Sequence, residues 1–128
     1  METFLINVGQ DNHRIQFSTT ITPNGISILL TGGTSSHVGG MVLSVPRLSL
    51  TGQGRSADTW IIPVAGHKDV IVGEQVAIFI SQKTGQTVAV TAGIHIENAT
   101  SEDLEILKKN CFEGAKLVVE KYLNKQKG

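Results

Sequence analysis

Three histidines, His37, His67 and His95, each stand within two residues of a glycine in this 128-residue sequence. Imidazole changes charge near neutral pH, so each position could bind a ligand or move a proton. His37 lies in residues 31–40, TGGTSSHVGG, the densest cluster of special residues in the chain. Gly32, Gly33, Gly39 and Gly40 permit positive φ and close backbone approach, and the threonines and serines add donors. A segment of this kind could hold a phosphate on backbone N–H groups. It lacks the Gly-Lys-Ser/Thr ending of a Walker loop and does not open a helix as a dinucleotide fingerprint does. Spacing alone favours the plainer reading, a glycine-rich connection between two strands.

His67 falls in Gly66-His67-Lys68-Asp69, between an expected strand and an expected helix. Lys68 and the helix start could attract an anion together, while the same residues also make an ordinary turn that Asp69 caps. His95 shares a strand face with Thr91 and Gly93. Small side chains there leave room against the backbone for a ligand or a closely packed helix. The three histidines could in principle bind zinc, but none is spaced H-x-H or H-x-x-x-H, and no metal site is expected. Nor is there a G-x-S-x-G elbow, and Cys111 falls on an apolar helix stripe, where a thiol packs as a small hydrophobe. The expectation is a binding protein. A small enzyme pairing a histidine with Asp58 or Asp69 as acid and base stays open as an alternative.

The elements that must position these residues follow from periodicity. Ile15, Phe17, Thr19 and Ile21 alternate with Arg14, Gln16, Ser18 and Thr20, which predicts a strand with one buried face. Pro23-Asn24-Gly25 turns it back into a second strand over 26–30, forming a hairpin. Further strands are expected at 4–8, 40–45, 60–64 and 87–96, with 46–59 as a loop. Residues 101–122 carry Leu104, Leu107, Cys111, Ala115, Val118 and Tyr122 at helical steps, and Thr100 with Asp103 forms a capping pair. Residues 69–83 are rich in Val and Ile, yet Gly85 beyond Lys83 is a sound helix stop, so a second helix is expected there. It would be apolar nearly all round and so buried, in its own domain or against a partner. Strands followed by a helix, a strand and a helix predict a single α+β domain over 1–128. Its antiparallel sheet would have five or six strands and carry two helices.

Composition bounds the function. Lysine plus arginine and aspartate plus glutamate number 11 each, which argues against a nucleic-acid binder. No apolar run approaches the ~20 residues that span a bilayer, and no leader peptide is evident. The single cysteine fits a reducing cytosol, so a cytoplasmic protein is expected. Little charge repulsion separates copies of the chain, and a homodimer is expected, joined through helix 69–83 or an adjacent sheet face.

Taken together, TGGTSSHVGG, GHKD and TAGIHIE followed by Asn98-Ala99-Thr100 resemble the prenylated-flavin chaperone-like family in order and spacing. Its members accompany UbiD-type decarboxylases, including gallate decarboxylase. Close relatives would carry proline before the Gly-His pair, where this chain has Ala65. The resemblance implies a fold like that of proteasome assembly chaperones. It also implies a non-catalytic role, helping a decarboxylase acquire prenylated FMN, with prenylated FMN or FMN as cargo. The positions it marks are Gly32, Gly33, His37 and Gly39, then His67, Lys68 and Asp69, then Thr91, Gly93 and His95. A chaperone that binds only a client protein is the alternative within this class.

Overall fold

The computed structural model describes residues 1–65 and 69–127, with the backbone alone at Asp69. Six strands form one sheet: β1 (Glu2–Val8), β2 (Ile15–Thr22), β3 (Gly25–Gly33), β4 (Ser35–Leu48), β5 (Arg55–Pro63) and β6 (Thr87–His95). Two helices, α1 (Asp69–Thr84) and α2 (Ser101–Lys127), complete the expected α+β domain. The sheet order is β1-β2-β3-β6-β4-β5. Every neighbouring pair is antiparallel except β3 and β6, which run parallel.

The β2–β3 hairpin forms as its alternation requires, with Thr22 opposite Gly25 across the two-residue Pro23-Asn24 turn. Ile15, Phe17 and Thr19 of β2 are fully buried, as are Leu30 of β3 and Val88, Val90 and Ala92 of β6. Both helices lie over this one face. α1 packs on β4, β5 and β6, and α2 on β1 and β2. The Val- and Ile-rich segment is therefore helical despite its β propensity. Its buried residues Val70, Val76, Ala77 and Ile80 are covered within the domain itself. Gly85 (φ +70°) stops α1, and the Arg55 guanidinium donates to the end carbonyls of Gln82 (2.9 Å) and Lys83 (3.4 Å).

The stripe of α2 is buried at Leu107, Cys111, Ala115, Val118 and Tyr122, whereas Leu104, in the first turn, is exposed. The cap forms reciprocally: Asp103 N–H donates to Thr100 Oγ1 (3.1 Å) and Thr100 N–H to Asp103 Oδ2 (2.9 Å). His13 Nε2 lies 2.8 Å from Asp103 Oδ1, tying the Asp11–His13 turn to the start of the helix.

Two boundaries differ from the periodicity reading. The expected 46–59 loop is much shorter, because β4 continues to Leu48 and β5 begins at Arg55. Pro46 is tolerated inside β4 because pairing with β6 ends at Ser44. Beyond that point only β5 lies alongside, so the missing N–H falls on a free edge. Residues 31–40 are not an open loop either. Because β6 inserts between β3 and β4, the chain crosses over the end of β6 and enters β4 at once, leaving only Thr34 between the strands.

Candidate functional site

The crossing at Thr34 fixes one end of the sheet. Thr34 N–H and Oγ1 both donate to the His95 carbonyl (2.7 and 3.0 Å), and Glu97 N–H donates to Thr34 Oγ1 (3.1 Å). Gly33 N–H donates to the Arg14 carbonyl (2.9 Å). The N–H groups of residues 33 and 34 are thus spent within the fold and form no phosphate cradle. Gly33 has φ +77°, and a Cβ there would collide with the His95 carbonyl, so glycine is required where the chain passes over β6.

β4 then bulges. Ser36 pairs with Ile94 and Gly40 with Ala92, so His37, Val38 and Gly39 together face the single residue Gly93. The His37 peptide lies so close to Gly93 that a Cβ on Gly93 would overlap the His37 carbonyl oxygen. The Gly39 carbonyl accepts from Val64 N–H (2.9 Å), anchoring the bulge to the strand beyond. The bulge brings the His37 and His95 rings edge to face, with centroids 6.2 Å apart and planes at 80°. His95 Nε2 also lies 3.2 Å from Glu97 Oε2.

Beside this pair is a cavity of about 260 Å³, lined by Asn7, Arg14, Gln16, Thr31, Gly32, Gly33 and Ser36 among others. Gln16 Nε2 donates to Asn7 Oδ1 (2.9 Å), which orients one wall. Arg14 has no acidic partner among the ion pairs of the described residues. A guanidinium beside hydroxyls and amides is suited to a phosphate or carboxylate.

The cavity opens on the sheet face that the helices leave bare. One row across all six strands reads Leu5, Ser18, Leu29, Thr91, Met41, Ile62; the next reads Thr3, Thr20, Ser27, Ala89, Leu43, Trp60. Trp60 is 58% exposed and Ile62 67%. On the other side of Leu29 and Thr91 come Thr31 and Gly93, at the polar end. The bare face therefore grades from apolar side chains to a cation and two histidines.

Of the residues marked by sequence, Gly32, Gly33, His37, Gly39, Gly93 and His95 converge at this end of the sheet, and Thr91 lies one row inward. His67 and Lys68 fall outside the described residues, and Asp69 opens α1 with its side chain likewise outside them. Among the described residues no three metal-capable side chains converge. Arg14, Asn7 and Gln16 were not singled out by sequence. Their only signal was membership of the polar alternation around β2, which any solvent-facing strand shows.

A second cavity of about 260 Å³ lies at the same end but on the helix side. It is lined by Ile71, Val72, Ile94, Leu104 and Leu107, and Cys111 closes it. Burial pushes the Cys111 thiol up to about 12, so it is held as the neutral thiol. No helix is long and apolar enough to cross a membrane among the described residues.

Comparison with known proteins fits this geometry. The family model described as prenylated flavin chaperone LpdD-like domain matches residues 9–123. No curated protein matches the sequence. Among solved structures, a chain of a chaperone complex for yeast 20S proteasome assembly superposes with TM-score 0.57 at 18% identity, over 92% of this chain and 97% of that one. At that identity the likeness is one of fold, and it matches the architecture the sequence resemblance implied.

Proposed function

The chain belongs to the LpdD-like prenylated flavin chaperone family, and from that premise we propose that it carries prenylated FMN or FMN as cargo for a UbiD-type decarboxylase. The family is one of chaperone domains, which supports reading the flavin as a passenger and assigning no reaction to the histidines. The observation that carries the reading is the graded sheet face. Arg14 and Thr31 offer a cation and a hydroxyl for a phosphate monoester, while Thr91, Leu29 and Met41 continue into a surface for a flat apolar ring. His37 and His95 stand at the rim, where either ring could meet a flavin edge. Gly32, Gly33, Gly39 and Gly93 let the backbone form that end of the sheet. His67, Lys68 and Asp69 are assigned to the same site on the resemblance alone.

The working unit in this reading is a cytoplasmic homodimer joined through the bare sheet face. Titration calorimetry with FMN and with prenylated FMN tests cargo binding, and activation of apo-decarboxylase by the loaded protein tests delivery. Absence of both effects would sink the proposal. The exposed Trp60 and Ile62 favour a second reading, a chaperone that binds only a client protein. Capture of a decarboxylase by flavin-free protein, with no change when FMN is added, would select it.

A further inference from the structure

The bare sheet face and the polar cavity are continuous, since Thr31 and Gly93 lie two residues along their strands from Leu29 and Thr91. We infer that the flavin site is composite: a second copy of this chain seats on the two uncharged rows and supplies the facing wall of the Arg14 cavity. This rests on the flavin reading above and specifies where that ligand is held.

The occupant of the face follows from its size and charge. Six strands at ~4.8 Å spacing and about seven residues at ~3.3 Å give a face of roughly 550 Å² per copy. Two copies would bury roughly 1,100 Å², which clears the ~1,000 Å² expected of a specific interface. An isologous contact meets its own surface, so a patch of one charge sign would repel itself. The two central rows, from Leu5 to Ile62 and from Thr3 to Trp60, contain no charged residue. Charge is confined to the margins, with Arg14 and the Glu97 carboxylate beside His95 at one end and the Arg47–Asp58 pair (2.7 Å) at the other. The face is thus neutral where a copy must sit, and Arg14 lines the cavity where an anion must be held.

Sheets packed face to face stand ~10 Å apart, a gap that large side chains fill. Leu29, Met41, Leu43 and Trp60 can fill it. Thr31 and Gly93, one row outward, cannot, nor can Gly33 in the row beyond, beside His95, and the unfilled space becomes a slot between two backbones. A flat ring suits such a slot, and Arg14 stands at its mouth to take the phosphate. On a lone chain the same residues form only a floor.

The test measures mass and ligand binding on the same samples, with FMN as the probe. Light scattering should give the mass of two chains for the parent, and FMN affinity should fall on dilution together with the dimer. Trp60→Glu changes an exposed side chain on β5, at the opposite edge of the sheet from the strands that line most of the cavity. It should give the mass of one chain, keep the far-ultraviolet dichroism of the parent, and bind FMN about tenfold more weakly or worse. A folded monomeric Trp60→Glu that binds FMN like the parent overturns the composite site and leaves the flavin reading standing. A parent that is monomeric at every concentration does the same if it still binds FMN. A dimeric parent that binds neither FMN nor prenylated FMN overturns both. If Trp60→Glu fails to fold, the dilution series on the parent decides alone.

Discussion

The carbonyl of His37 rests against the α-carbon of Gly93, with no room between them for a methyl group. One residue of β6 thereby holds a three-residue bulge of β4, and the bulge brings the His37 ring to within 6.2 Å of the His95 ring. Glycine at position 93 is a packing requirement before it is a ligand-binding one.

Gly93→Ala should therefore destabilise the fold by about 2–4 kcal/mol, because the new Cβ meets backbone and cannot be relieved by a rotamer change. Urea denaturation measures this. Thr91→Ala, on the same strand and face, serves as the control and should cost under about 1 kcal/mol. Equal losses at the two positions would show that the bulge yields readily and that its geometry is not fixed by Gly93.

Arg14 should behave in the opposite way. Its side chain is exposed and makes no ion pair among the described residues, so Arg14→Ala should leave stability within about 0.5 kcal/mol of the parent. FMN binding should weaken about tenfold or more, with a shallower salt dependence, because a charge-assisted contact to phosphate is lost. Arg14→Lys should recover part of it, keeping the charge without the planar fork. Fluorescence titration at two salt concentrations reads both effects. Unchanged affinity in Arg14→Ala would remove the phosphate from this cavity.

Much of the framework was legible because it is local. The alternation of Ile15, Phe17, Thr19 and Ile21 needs only a strand with one buried face, and the Thr100–Asp103 cap needs only four residues. Helix 69–84 was harder, since its Val and Ile side chains favour strand. The stop at Gly85 decided it. What could not be read is long-range. Nothing near residues 31–40 says that β6, more than fifty residues later, will pair in parallel with β3 and force the chain across its end. The same insertion converts an apparent glycine loop into strand and spends its N–H groups on Arg14 and His95. Arg14 was legible only as an outward-facing residue of the β2 alternation, because it becomes part of a cavity only when β1, β2, β3 and the start of β4 are aligned.

The cap of α2 gives a prediction in acid. The backbone N–H of Thr100, with further hydrogen bonds from His13 and Thr100 Oγ1, lowers the Asp103 carboxyl from 3.8 to about 2. The folded carboxylate holds its charge where the unfolded chain already takes up a proton, so the unfolded state binds more protons between those values. The contribution of Asp103 is fully present above about pH 4 and disappears as pH falls through about 2. Asp103→Asn should flatten the loss of stability across that window and leave its slope elsewhere unchanged. Thr100→Ala should cost about 1 kcal/mol at neutral pH by removing the cap hydroxyl. Thermal melts from pH 2 to 7 compare the three proteins, and parallel curves for parent and Asp103→Asn would refute the linkage.

Cys111 forms the floor of the helix-side cavity, yet its own exposure is 0%. Thiolate is the reactive form, and desolvation pushes the thiol up to about 12, so access and ionisation both oppose modification. A thiol reagent should leave the native protein unlabelled at pH 8 and label it stoichiometrically in denaturant. The native labelling rate should follow global unfolding, rising with urea in proportion to the unfolded fraction. Cys111→Ser should cost about 1–3 kcal/mol by placing a hydroxyl among apolar side chains, whereas Cys111→Val should be tolerated better if the neighbouring cavity accepts the added methyl group. Rapid labelling of the folded protein at pH 8 would instead mean that the Ile71–Leu104 cleft opens to its floor without unfolding, and that the thiol serves for more than packing.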